Sequence, residues 1–115
     1  MGIDVLREYC LAKAGTTESL PFGPTVLVFK VMGKMFGATS LDEPEARVNL
    51  KCDPERAVEL REQYEGIIPG WHMNKKHWNT VYLEKDVQPD LVRELIDHSY
   101  DTVVSKLPKK VRESL

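Results

Sequence analysis

The segment Ala46-Arg47-Val48-Asn49-Leu50-Lys51-Cys52, followed at once by Asp53-Pro54, decides the fold. Apolar residues occupy every second position of Ala46–Cys52, and polar or charged residues lie between them. This period of two predicts a strand with one buried and one solvated face. Asp53 is then the N-cap of a helix whose first residue is Pro54. On the solvated face, Arg47 and Lys51 are interpreted as ordinary exposed charges, with a cationic binding face as the alternative.

Hydrophobic periodicity elsewhere predicts the remaining elements. The second helix places Ala57 and Leu60 inward, and its glutamates are expected on a solvated face together with Arg56 and Arg61. Phe22, between two prolines, is expected to cover the core. The predicted elements are a helix from Asp4 to Ala14, a loop over Thr16–Pro24, strands Thr25–Val31, Met35–Ser40 and Ala46–Cys52, a helix from Asp53 to Gly66, a strand beginning at Ile67, a strand Trp78–Leu83, and a helix from Pro89 to about Leu107.

This order, α-β-β-β-α-β-β-α, predicts an α+β fold with an antiparallel sheet and helices on one face. The residues 1–115 suffice for one domain with one core. The strand alternation and the helical spacing together predict one shared core. Its expected members are Val48, Leu50, Val81, Leu83, Leu60, Leu95 and Ile96.

Composition and charge limit the function classes. The net charge is −2 and the pI about 5.9, whereas a dedicated nucleic-acid-binding domain is usually basic. Cys10 and Cys52 lie far apart in apolar patterns, which favours two buried free thiols in a reducing compartment. No basic, apolar leader and no run of about 20 apolar residues is present. We therefore expect a cytoplasmic protein without membrane contact.

One stretch, Gly70–Val81, has an unusual composition. It contains both tryptophans, two of the three histidines and a lysine pair, and no acid. Lysines attract phosphate, aromatic rings stack on bases, and asparagine bonds base edges. The alternative is that Trp71 and Trp78 are core residues beside an exposed Lys75-Lys76 turn. Both interpretations hold together if the indoles pack inward and the turn projects outward.

Other site chemistries have little support in the sequence. His72 and His77 lack a third zinc ligand of suitable type nearby. No histidine is close in sequence to either cysteine, and no phosphate loop or GxGxxG is present. We therefore expect no catalytic residue, no metal site and no cofactor, and a protein that is not an enzyme.

Several motifs, taken in order, resemble the MmcQ/YjbR family over nearly the whole chain. They are Pro21-Phe22-Gly23, Val28-Phe29-Lys30, Gly33-Lys34-Met35-Phe36, Val48-Asn49-Leu50-Lys51-Cys52, Pro69-Gly70-Trp71-His72-Met73-Asn74-Lys75, His77-Trp78-Asn79-Thr80-Val81, Asp97-His98-Ser99-Tyr100 and Lys106-Leu107-Pro108-Lys109-Lys110. The resemblance implies a compact α+β fold similar to secretion-chaperone-like domains. It also implies a DNA-binding role that has been proposed for the family.

Three functions follow as hypotheses. The first is a DNA-binding module, with contacts expected from Lys51, His72, Asn74, Lys75, Lys76, His77, Lys109 and Lys110. The second is a protein-interaction domain, to be recognised by a stable dimer or an exposed apolar sheet face. The third is a small-molecule-binding protein with His72, His77 and Asn79 around a pocket. We prefer the first because of the family resemblance. The oligomeric state is left open.

Overall fold

The computed structural model describes residues 1–115 as six strands and four helices. None of the helices is both long and apolar enough to cross a bilayer. The elements, in chain order, are α1 (Ile3–Leu11), β1 (Thr16–Ser19), β2 (Val26–Val31), β3 (Lys34–Ser40), β4 (Arg47–Lys51), α2 (Pro54–Gln63), β5 (Ile67–Pro69), β6 (Trp78–Tyr82), α3 (Pro89–Ser105) and α4 (Lys109–Arg112).

The strands form one sheet in the order β1-β2-β3-β4-β6-β5, and every neighbouring pair is antiparallel. Side chains of α1, α2 and α3 join those of the strands in a single buried cluster, so these helices cover the same face of the sheet. The predicted α+β architecture is therefore confirmed. The seven predicted core residues all belong to this cluster.

The structure differs from the expected elements in four places. Thr16–Ser19 is an edge strand rather than loop, and a short helix, α4, follows Pro108. Asp4 is not the cap of α1, because the helix begins at Ile3 with Gly2 at the N-cap. Phe22 does not cover the core: it is 72% exposed. A phenylalanine between two prolines is held in a turn, but nothing in that pattern decides which way the turn faces.

Strands β3 and β4 pair with each other over a short stretch only. Their register covers Gly37↔Leu50 and Ala38↔Asn49 only. On the Phe36 side of this stretch, a side chain of α3 joins the two strands instead. Ser99 Oγ donates to the Phe36 carbonyl at 2.6 Å and accepts from the Lys51 amide at 2.9 Å. Ser99 is fully buried, so α3 closes the gap at its inner end.

A second polar contact, called here the tether, joins α1 to α3. It consists of Tyr9, Lys13, Asp97 and Tyr100. The Asp97 carboxylate accepts from the Tyr9 hydroxyl at 2.7 Å and pairs with the Lys13 ammonium at 2.6 Å. That ammonium lies 5.3 Å and 5.1 Å from the ring centroids of Tyr9 and Tyr100. The tether therefore satisfies a half-buried cation with one carboxylate and two aromatic rings.

Candidate nucleic-acid interface

The two tryptophans have different environments. Trp78 is 8% exposed and Trp71 is 51% exposed. Trp71 lies on the sheet face opposite the helices, where its amide donates to Thr80 Oγ1 at 2.9 Å and its carbonyl accepts from Asn49 Nδ2 at 3.1 Å. The Arg47 guanidinium lies 5.3 Å from the Trp71 ring centroid. One indole is thus buried, and the other presents a ring to solvent beside a cation and an amide.

A close backbone approach places Trp71 on that face. A Cβ added at Gly70 would lie 2.8 Å from the Trp78 Cβ and 3.0 Å from the Trp78 carbonyl oxygen. Only glycine allows the chain to pass the first residue of β6 at this distance. Two residues after Gly70, His72 adopts a left-handed φ of 58°. The chain therefore turns back over the sheet instead of extending β5.

The turn after Trp71 is held together by its own side chains. Asn74 Oδ1 accepts from the Lys76 amide at 2.9 Å, and the Lys75 ammonium donates to the Gly70 carbonyl at 2.9 Å. Asn74 therefore has only its amide N–H groups left for a ligand, and the Lys75 ammonium is used within the turn. Lys76 is exposed and forms no ion pair.

Arg61 anchors this turn, a role that was not predicted from the sequence. Its Nε donates to Asn79 Oδ1 at 2.6 Å, and its Nη2 donates to the carbonyls of Lys75 and Trp78. The expectation that Arg61 belongs to a solvated helix face is wrong. Its spacing of four residues from buried Ala57 was a usable signal, because such residues share a helix face. Asn79, proposed for a small-molecule pocket, is 2% exposed and tied to α2.

The stretch Gly70–Val81 contains no acidic residue, but acidic side chains of α2 lie beside it in the folded protein. Lys75 and Lys76 line a groove of about 580 Å³ beside α2. Three α2 glutamates, Glu55, Glu59 and Glu62, line the same groove. Their carboxylates lower the positive potential that the lysine pair would otherwise present to a phosphate.

The three histidines make different contacts. His72 is exposed and meets the Trp71 ring edge-on, with the centroids 5.2 Å apart. His77 is half-buried, and its carbonyl accepts from the Cys52 amide at 2.8 Å. His98 Nε2 accepts from the Asp53 amide at 3.1 Å. No group of three or more His, Cys, Asp or Glu side chains is arranged to hold a metal ion.

Both cysteines are buried free thiols, as expected. Burial raises the pKa of the Cys10 thiol to about 12. Burial also raises the pKa of the Cys52 thiol. Since the thiolate is the reactive form, neither sulfur is a ready nucleophile near neutral pH.

The remaining predicted contacts, Lys51, Lys109 and Lys110, lie where β4 and α3 end. Six lysines at this end of the sheet have ammonium groups without a hydrogen-bond or ion-pair partner, whereas the other four lysines are partnered. Lys109 is one of the four, at 3.9 Å from Glu113. We call this set the basic end. Its members are Lys30, Lys34, Lys51, Lys76, Lys106 and Lys110.

The topology explains why these lysines meet. Val31 pairs with Lys34 at the β2–β3 turn, and Lys51 pairs with Trp78 across β4 and β6. The β2–β3 turn, the end of β4 and the start of β6 therefore share one end of the sheet. Pro108, between α3 and α4, lines the same cleft as Lys34 and Lys51. No sequence window contains this cluster, because its members come from five separate segments.

Comparisons with known proteins give consistent results. The family model described as YjbR matches residues 11–102. The Escherichia coli K12 protein YjbR is 36% identical over 115 residues, which are 100% of this chain and 98% of that protein. YbdF of Escherichia coli O157:H7 is 42% identical over 90 residues, or 78% of this chain and 74% of that protein.

A solved structure extends the match to the fold. The crystal structure of Deinococcus radiodurans protein DR2400, described as a DUF419 domain, superposes with a TM-score of 0.92 at 39% identity. The match covers 98% of this chain and 86% of that one. A crystal structure from Pseudomonas syringae matches with a TM-score of 0.78 at 27% identity, covering 89% and 98% of the two chains. None of the names of these relatives states an activity.

Proposed function

The chain belongs to the YjbR family, and we propose that it is a DNA-binding module whose basic end contacts the phosphate backbone. One observation carries the proposal: the lysines without a partner are gathered at one end of a chain whose net charge is −2. Unpartnered like charges repel one another, so this grouping does not stabilise the fold. It does provide the positive surface that phosphate contacts need.

Other features support parts of the proposal. Lys51 and Lys110 belong to the basic end, and Lys109 lies beside it. The exposed ring of Trp71 offers a stacking surface for a base. In the turn, Lys76 and His72 have exposed side chains, whereas Lys75 and Asn74 are partly used inside it. We therefore propose that the lysines at the ends of β4 and α3 contribute more to binding than the turn does.

The proposal describes a binding protein and not an enzyme. The buried thiols of Cys10 and Cys52 support this, because burial raises the pKa of both. We further propose that the protein is cytoplasmic, because the reducing environment of the cytoplasm keeps such thiols unpaired.

The test is a salt titration of DNA binding, measured by fluorescence anisotropy with a short labelled duplex. Lys106→Glu with Lys110→Glu should weaken binding by about tenfold or more, since tenfold corresponds to about 1.4 kcal/mol. The log–log salt dependence should flatten by about 0.9 per lost phosphate contact. Lys76→Glu should have a smaller effect, because three α2 glutamates line the groove beside that position.

The matched control carries the same charge change at the opposite end of the sheet. Lys85 pairs with Glu45, and Arg93 pairs with Asp90. Lys85→Glu with Arg93→Glu should leave the salt slope nearly unchanged. If the two double variants bind equally well, the basic end is not the interface. If the wild type binds no DNA even at low salt, the DNA-binding proposal fails.

A second candidate is a protein-interaction surface, and one observation favours it. At the end of the sheet opposite the basic end, Leu20, Phe22 and Leu41 are 47%, 72% and 47% exposed. The Leu41 amide bonds the Thr25 carbonyl at 2.7 Å, which joins the loops that carry these side chains. The simplest version is self-association. Sedimentation at rising protein concentration should then show dimers, and Phe22→Ser should weaken the dimerisation. A wild-type protein that stays monomeric would exclude self-association.

A further inference from the structure

A cleft opens inside the basic end, at the point where β3 and β4 part. It has a volume of about 210 Å³ and is lined by Lys34 on β3, Lys51 on β4 and Lys106 after α3. Met35, Val103 and Leu107 supply apolar surface between these lysines. Its volume lies below the roughly 300–1,000 Å³ of clefts that take drug-sized ligands. A single compact group suits it better.

The electrostatics of the cleft are uncompensated. No acidic side chain lines it, and none of its three ammonium groups forms an ion pair. The pKa of Lys51 is lowered, first by burial and then by the nearby Lys106 ammonium. Three cations held this way favour an anion that carries more than one charge.

We propose that this cleft binds the terminal phosphate of a nucleic-acid strand. The inference rests on the proposed DNA-binding function and names the part of the ligand that enters the cleft. A phosphomonoester carries about −1.5 to −2 charges at neutral pH, whereas each internal phosphodiester carries only one. A terminal phosphate therefore neutralises more of the lysine charge. Beside Lys51, the Ser99 hydroxyl joins β3 to β4, so the gap between these strands is closed on that side.

The test compares three probes on the intact protein. They are a single-stranded oligonucleotide with a 5′-phosphate, the same strand with a 5′-hydroxyl, and inorganic phosphate. We expect about tenfold tighter binding of the phosphorylated strand, corresponding to about 1.4 kcal/mol. Inorganic phosphate should bind much more weakly than the phosphorylated strand, because it lacks the contacts of the backbone to the rest of the basic end.

Variants assign this preference to the cleft. Lys51→Gln and Lys106→Gln should each reduce the preference for the phosphorylated strand. Lys30→Gln, at a basic-end lysine outside the cleft, should weaken both strands alike and leave the preference unchanged. Because all three lysines are on the surface or half-buried, the variants should fold, and circular dichroism checks this.

The outcomes separate this inference from the proposed function. If both strands bind equally and salt-dependently, the terminal-phosphate site is wrong while DNA binding stands. If inorganic phosphate binds as tightly as the phosphorylated strand, the cleft takes free phosphate and the strand-end assignment is wrong. If neither strand binds, both proposals fail. The inference is supported if the phosphorylated strand binds more tightly, if Lys51→Gln reduces this preference, and if Lys30→Gln leaves it unchanged.

Discussion

The tether and the basic end use lysine in opposite ways. In the tether, the Lys13 ammonium is paired with Asp97 at 2.6 Å and lies over two aromatic rings. In the basic end, six ammonium groups have no protein partner, and three of these lysines line one cleft. The first arrangement contributes to the stability of the fold, and the second detracts from it. A lysine that stabilises the native state can thus be distinguished from one available to a ligand by its partners alone.

The largest expected effect on stability is at Ser99, which lies on α3 between the two regions. Ser99→Ala leaves the buried Phe36 carbonyl and the Lys51 amide without a partner, and each such group costs about 1–3 kcal/mol. We expect the free energy of unfolding to fall by about 2–3 kcal/mol in urea titrations. Ser105→Ala, on the exposed end of the same helix, should change it by less than about 0.5 kcal/mol. Equal effects would show that the Ser99 hydrogen bonds between β3 and β4 do not stabilise the fold.

The second largest loss of stability is expected when the tether is broken. Asp97→Asn removes the charge that Lys13 and Tyr9 share, but 43% of the Asp97 side-chain surface stays in solvent. We therefore expect a loss of only about 1 kcal/mol, as for a partly screened charged hydrogen bond. Asp101→Asn, one helical turn further on and exposed, is the matched control and should have almost no effect. If the two asparagine variants are equally stable, the tether contributes nothing measurable.

The stability that Asp97 contributes depends on pH. Burial raises the pKa of Asp97, but the hydrogen bonds from Lys13 and Tyr9 outweigh it, so the folded-state pKa is lowered. Its stabilisation is present in full above the unfolded value, about 3.9, and is lost as the pH falls through the folded value. Unfolding free energies measured between about pH 5 and pH 3 should therefore decline less steeply in Asp97→Asn than in the wild type. Parallel declines would contradict this assignment.

The smallest effect is a gain in stability at the basic end. Lys106→Gln removes one of two mutually repelling ammonium groups, since Lys106 lowers the pKa of Lys51. We expect the free energy of unfolding at low salt to rise by a few tenths of a kcal/mol, roughly the size of a surface charge interaction. High salt should abolish the gain. A loss of stability would mean that Lys106 has a stabilising partner, which contradicts the description of the basic end.

The sequence predicted elements whose signal is local. The alternation in Ala46–Cys52 and the Asp53-Pro54 cap correspond to β4 and α2, and the Asp53 side chain accepts from the Arg56 amide. The core was predictable for the same reason, because strand and helix periods mark their buried positions. Strand β1 was missed because Thr16–Ser19 lies at the sheet edge and is half polar, with only one neighbour to pack against.

The candidate site could be predicted only in part, because it depends on contacts distant in sequence. Lys51 was identified, but Lys34 and Lys106 were not, since neither has an unusual neighbourhood along the chain. Lys75 and Lys76 were placed on an exposed turn correctly, yet the α2 glutamates beside them come from another element. The anchoring role of Arg61 likewise depends on Asn79, 18 positions later. Charge balance at a surface is a property of the tertiary structure.

The tether also bears on how the protein folds. Tyr9 and Asp97 are 88 positions apart in the chain, so their hydrogen bond can form only after a very long loop has closed. Contacts of this separation form late, and chains rich in them fold slowly. Breaking a late contact accelerates unfolding and leaves the folding rate almost unchanged. In stopped-flow chevron plots, Asp97→Asn should therefore raise the unfolding limb and superpose on the wild type along the folding limb.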